Sequence, residues 1–139
     1  MMTHGPPYRI LDQTVYGEKC VGCPHLLRAA YRAKPRLHCF GHIHEGWGAQ
    51  RVLWKGNAPK GSMISVYDDS VGHASEIAGD LAEITNEMAA YVDISDSGPD
   101  PLKHGEETLM VNSSIMSVRY KPVQAPWLVD LELPYPDRN

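Results

Sequence analysis

Pro35-Arg36-Leu37-His38-Cys39-Phe40-Gly41-His42-Ile43-His44-Glu45-Gly46 is the stretch on which the reading of this chain turns. Its first half, 36–41, is a short apolar run closed by glycine, the pattern of a strand that ends in a turn. Two imidazoles follow at alternate positions, where the glycine lets the backbone turn and the rings converge. Imidazole is a common protein ligand for zinc, iron and manganese-type ions. Alone, His-x-His is a weak signal, because surface and core histidines are frequent.

Working outward, Leu26, Leu27, Ala30 and Tyr31 fall at helical spacing with Arg28 and Arg32 available to face water, so a helix is expected over 23–33, stopped by Pro35. Before it stands Thr3-His4-Gly5-Pro6-Pro7, a third histidine in a rigid loop. A strand, helix, strand crossover sets parallel strands with their C-terminal ends on one sheet edge, so the loops at His4 and His42 open toward one crevice. Downstream, strands are expected over 51–57, 108–112, 117–121 and 127–133, forming a mixed or antiparallel sheet. Within 75–91, Ile77, Leu81, Ile84, Met88 and Tyr91 repeat at four and three residues, the stripe of an amphipathic helix. Residues 93–105 read as an exposed loop.

The chain has 139 residues, enough for one small domain. Its formal charge of −4 argues against a general binder of the nucleic-acid backbone. The charge is uneven: residues 1–60 carry nine Lys/Arg against three Asp/Glu, and residues 61–139 four against fourteen. An anionic substrate is better received by the first half. Residues 61–107 read as an acidic insertion. No run reaches the roughly 18 apolar residues of a membrane span, and 1–7 lack the plan of a signal peptide, so a cytoplasmic protein with reduced cysteines is expected.

Taken together, Thr3-His4-Gly5-Pro6-Pro7, Gly22-Cys23 entering a Leu-Leu helix, the stretch from Pro35 to Gly46, Val111-Asn112-Ser113-Ser114 and Pro126-Trp127-Leu128-Val129-Asp130-Leu131 resemble the calcineurin-like metallophosphoesterases, in particular the small metallophosphoesterase-domain branch. The resemblance implies an α/β fold: the C-terminal part of a layered sandwich, a mixed sheet with flanking helices. It also implies a binuclear metal-dependent phosphoester hydrolase in which the cations neutralise phosphoryl oxygens. Carried over, His4 and His42 share one metal and His44 holds its neighbour, the metals being manganese, iron, zinc or magnesium. Glu45, Asn112 and Arg51 are then candidates to orient ligands or meet the substrate phosphate. An alternative gathers all three histidines around one ion.

The family's Asp-x-His, Gly-Asp-x-x-Asp and Gly-Asn-His-Glu occur nowhere in the sequence, so its catalytic histidine, its bridging aspartate and its asparagine ligand have no counterpart. Gly79-Asp80-Leu81-Ala82-Glu83 is only a superficial echo of the second. The expectation is thus a partial domain, weak or inactive alone and prone to self-association through its sheet edge. Two other readings stand beside it. Cys20-x2-Cys23 and Cys39-x2-His42 have the spacing of a structural zinc site, and the 77–91 stripe would serve a noncatalytic remnant that binds a partner.

Overall fold

The computed structural model describes residues 1–15, 17–55, 71–77 and 88–133, with 17–19 and 71–77 described by their backbone. The fold is α/β, built on a mixed sheet. In chain order it runs β1 (Gln13–Thr14), β2 (Gly17–Cys20), α1 (Pro24–Ala33), β3 (Leu37–Phe40), a 3-10 turn (His44–Gly46), β4 (Gly48–Trp54), β5 (Val71–Ile77), β6 (Ala90–Asp93), β7 (Glu107–Asn112) and β8 (Trp127–Asp130). The principal sheet has the order β3-β7-β4-β5; β3 and β7 are parallel, and β4 is antiparallel to both β7 and β5. Residues 1–4 extend it beyond β3, with Thr3 N–H donating to the Cys39 carbonyl, Cys39 N–H to Met1, and Gly41 N–H to His4. The crossover expected between the two histidine loops is therefore present, running from 1–4 through α1 to β3.

Helix α1 begins with Pro24 in the first turn, where a missing N–H costs nothing, and ends at Lys34, whose left-handed backbone (φ 42°) returns its N–H to the Ala30 carbonyl. Leu27, Ala30 and Tyr31 form its buried face. They pack with Ile10, Phe40, Val52, Trp54 and Met110 on one side of the sheet. The other side is covered by Ile94, Leu102 and the β6–β8 ladder, which bury Ala49, Leu109 and Val111. Period-two alternation assigns the faces: Phe40, Val52, Trp54 and Met110 point toward the helix, and Leu37, Cys39, Leu109 and Val111 away from it. Covered on both faces, β7 is buried at all six positions.

Trp54 is fixed in the helix-side core by its indole N–H, which donates to Thr108 Oγ1 at 2.9 Å, and by an edge-on contact with Tyr31 at 5.7 Å. Trp54→Phe removes that donor and part of the packed ring. It is expected to lower the unfolding free energy by about 2 kcal/mol in urea titration, whereas a change below about 0.5 kcal/mol would mean that the core closes around the smaller ring.

Three expectations are corrected. The helix over 75–91 is absent at both ends: residues up to Ile77 form an antiparallel edge strand on β4, and Ala90 and Tyr91 open a parallel strand on β8. Residues 78–87 lie outside those described. Backbone pairing with an available sheet edge outweighs a local period-3.6 pattern. The strand over 117–121 is instead the tip of a tight hairpin, Tyr120 N–H donating to Ser117 O and Ser117 N–H to Lys121 O, both at 2.8 Å. Segment 93–105 is partly a covering element, since Ile94 and Leu102 are buried. Among the described residues no helix is long and apolar enough to cross a membrane.

Candidate metal centre

The His4 loop leaves the edge segment 1–3, the His42 loop leaves β3, and Asn112 ends β7, so all three lie at C-terminal ends of parallel chain segments. Pro6 and Pro7 are buried, and Pro6 O and Tyr8 N–H bond the backbone of Cys23 at the entrance of α1. This anchors the loop that presents His4. Gly41 accepts Ile43 N–H at 2.9 Å across a three-residue turn, which puts His42 at φ 71°. A positive φ at a non-glycine γ-turn centre is rare and strained. The strained residue is the candidate ligand itself, and its ring is exposed.

His4 Nε2 lies 3.1 Å from His42 Nδ1, with ring centroids 4.7 Å apart. Two nitrogens each about 2.0 to 2.1 Å from one zinc would stand about 3 Å apart, so the pair has the separation of two donors to a common ion. His44 stands on the following 3-10 turn, half-buried, its Nδ1 3.1 Å from Ser117 O. Among the described residues no three or more His, Cys, Asp or Glu side chains converge as a metal-holding group. His4, His42 and His44 therefore do not gather around a single ion. The donor set fits two-histidine ligation at His4 and His42, with His44 separate, and it lacks the carboxylates that would complete either site.

Asn112 locks this arrangement. It is fully buried; its Nδ2 donates to Ile43 O (2.8 Å) and Leu11 O (3.3 Å), and its Oδ1 accepts Ser114 N–H (3.1 Å). A Cβ on Gly46 would run into the Leu11 carbonyl, so the 3-10 turn passes that loop only as glycine. Ser113 binds Phe40 O through both its N–H and its hydroxyl.

Beneath the His4 loop lies His38, fully buried. Thr3 Oγ1 donates to Gly5 O, so at 2.9 Å it accepts the His38 Nε2 proton, leaving Nδ1 as a buried lone pair without a partner. Burial, aided by the Met1 ammonium, holds the His38 pKa down to about 4 from the ordinary 6.5.

The remaining candidates lie elsewhere. Glu45 Oε1 faces Val15 N–H at 3.4 Å. Arg51 points to the opposite face of the sheet, pairing with Asp100 at 2.9 Å and approaching Glu107 at 3.8 Å. No phosphate-binding arginine is thus brought beside the histidines by β4. Cys20, Cys23, Cys39 and His42 form no cluster. Cys39 packs in the apolar core, where burial pushes its thiol pKa up; the Cys20 thiol is raised by burial and by Asp12. The structural-zinc spacing is thus not realised in space. The sequence carried no sign of Ser117, Tyr120 or Gln124 at His44, because backbone carbonyls and hairpin tips have no motif.

Three relatives compare as follows. The human protein named metallophosphoesterase domain-containing protein 1 is 51% identical over 49 residues, 34% of this chain and 15% of its own length. A UPF0046 protein of Caenorhabditis elegans is 44% identical over 57 residues, 41% of this chain and 18% of its own. A protein of Emericella nidulans named "Probable rhamnogalacturonate lyase C" is 43% identical over 56 residues, 39% of this chain but 5% of its own. The chain thus matches less than a fifth of the length of these relatives. No family profile matches, and no solved structure matches.

Proposed function

We propose that this chain carries part of the metal site of a metallophosphoesterase, with His4 and His42 binding one divalent ion and His44 its neighbour. The observation that carries the reading is the His4–His42 pair: two nitrogens 3.1 Å apart, one of them on a strained γ-turn. Similarity over a third of the chain to proteins named for a metallophosphoesterase domain supports the same class. A bound divalent ion supplies Lewis acidity toward phosphoryl oxygen. The chain's own part is to fix two loops at one sheet edge, Asn112 holding the Ile43 carbonyl and the buried prolines holding the loop of His4.

The substrate is then a phosphoester, and the first 60 residues, which carry the chain's excess of Lys and Arg, would favour its approach. Carboxylate ligands and the catalytic histidine would have to come from residues other than these 139, so the chain alone is expected to bind metal weakly and to turn over little substrate. Titration with Mn2+ or Zn2+ in a calorimeter tests this. Substituting His42→Ala is expected to weaken binding about 100-fold, since loss of a direct ligand should at least match the 10- to 100-fold effect of losing a residue that only orients one. Unchanged affinity would remove His42 from the site.

A further inference from the structure

Residues 118–123, Val-Arg-Tyr-Lys-Pro-Val, are exposed at every position around the tip of the 115–124 hairpin. Tyr120 is 76% and Val123 69% exposed, with Val118 and Ile115 also in water. Large apolar side chains gathered in one exposed segment mark a surface that something else covers. The tip is held in shape. Tyr120 N–H donates to Ser117 O, Ser117 N–H to Lys121 O, and Gln124 Nε2 to the His44 carbonyl at 3.0 Å. The Tyr120 ring stands edge-on to His44, 5.3 Å between centroids, on a backbone at φ 56° that non-glycine residues rarely adopt. Arg119 and Lys121 flank that ring, and residues 108–129 contain no acid. An ordered tyrosine beside a basic pair is the composition of a binding anchor, and its order lowers the entropy lost on docking.

The β6–β8 ladder offers the complement. Ala90, Val92, Trp127 and Val129 turn toward the core, so Tyr91, Asp93, Leu128 and Asp130 lie on the outer face. The register sets Tyr91 beside Leu128 and Asp93 beside Asp130. Both apolar members are more than half exposed. Like charges directly opposite oppose strand pairing, and two more acids stand at the same end, where Asp96 N–H donates to Glu132 Oε2. No Lys or Arg occurs in 88–102 or 122–133, and Arg36 meets only the backbone carbonyl of Glu132. Among the described residues, neither these four acids nor Arg119 and Lys121 are in an ion pair.

We infer that the 118–123 tip docks on the outer β6–β8 face of a second copy of this chain. Val118, Tyr120 and Val123 cover Tyr91 and Leu128, while Arg119 and Lys121 neutralise the Asp93 and Asp130 pair. Charge and apolarity match on both sides, and both halves belong to the same sequence. A chain of net charge −4 is by contrast a poor match for an anionic lipid surface. The contact is small, so the association is weak and depends on concentration and salt. It does not depend on the metal site proposed above.

Sedimentation equilibrium of the full chain tests it, at concentrations from about 10 μM to about 1 mM that span weak affinities. The mass is expected to rise above that of the monomer at low salt, and about 0.5 M salt should weaken association about tenfold by screening the charges. Arg119→Glu with Lys121→Glu should leave the chain monomeric, as should Asp93→Lys with Asp130→Lys. Mixed in equal amounts, the two variants should associate again, because each tip then meets a face of opposite charge. NMR of the unsubstituted chain needs no variant: as concentration rises, amide shifts should gather at 118–123, 91–93 and 128–130. A mass that stays monomeric, shifts confined to other segments, or association that both variants retain overturns the inference. Folded variants that do not associate when mixed overturn it as well. So does a monomeric chain that binds vesicles of phosphatidylcholine and phosphatidylserine through Arg119 and Lys121, which would assign the tip to an anionic lipid surface.

Discussion

Asn112→Ala is expected to lower the unfolding free energy by about 3 kcal/mol or more, read as a lower urea midpoint at unchanged slope. The side chain is fully buried and uses both donor and acceptor across three chain segments, reaching Leu11 O, Ile43 O and Ser114 N–H. Truncation leaves these groups without a partner in the interior, at about 1 to 3 kcal/mol for each that water cannot reach. Asn112→Asp should be at least as harmful, because it keeps the acceptor for Ser114 but places a carboxylate against two carbonyls. A loss under about 1 kcal/mol for the alanine variant would mean that water replaces the amide, and Asn112 would then not be what sets the 43–46 turn.

Acidification is expected to cost nearly as much through one residue. His38 is a base whose folded pKa, about 4, lies below its ordinary 6.5. Between those values the unfolded chain binds the proton and the folded chain does not, so stability is full above about pH 6.5 and falls as the pH drops toward 4. The whole shift corresponds to about 3 kcal/mol. The cause is desolvation first and the Met1 ammonium second. His38→Leu should flatten that limb of the pH profile while giving up the bond to Thr3. Urea midpoints at several pH values across this window check it; an equally steep profile in the variant would assign the acid limb to other groups.

Several elements were legible in the sequence because one local signal sufficed. Helix α1 was expected at 23–33 and runs from Pro24 to Ala33, since its apolar residues, its prolines and its arginines all agree. The buried strand at 107–112 and the strand before Gly41 were marked by continuous apolar runs. The meeting of His4 and His42 was also legible, because a crossover has one preferred hand and brings its loops to one edge. Position 51 was not: whether an arginine on a strand faces the site or the far side depends on register. β4 sends Arg51 to Asp100.

The periodic stripe at 77–91 misled at its two described ends for a related reason. Local spacing competes with an open sheet edge, and the edge of β4 took residues 71–77 while β8 took 90–93. The turn at 117–121 was hidden because apolar and basic residues at a hairpin tip resemble a short strand until their partner is known.

The sequence, through its residue types, their spacing and the resemblance they carry, led to the expectation of an α/β fold, set two histidines directly after a strand, and holds among its 139 residues none of the carboxylate motifs that the resemblance would require of a complete site. Such properties reside in side-chain chemistry and short-range periodicity. Tertiary structure alone decided that His4 and His42 stand 3.1 Å apart while His44 is held separately by Ser117, that Asn112 ties together loops 69 and 101 residues away, and that the cysteines do not converge. Those are matters of register and of backbone carbonyls, which every residue carries alike and no sequence motif can mark.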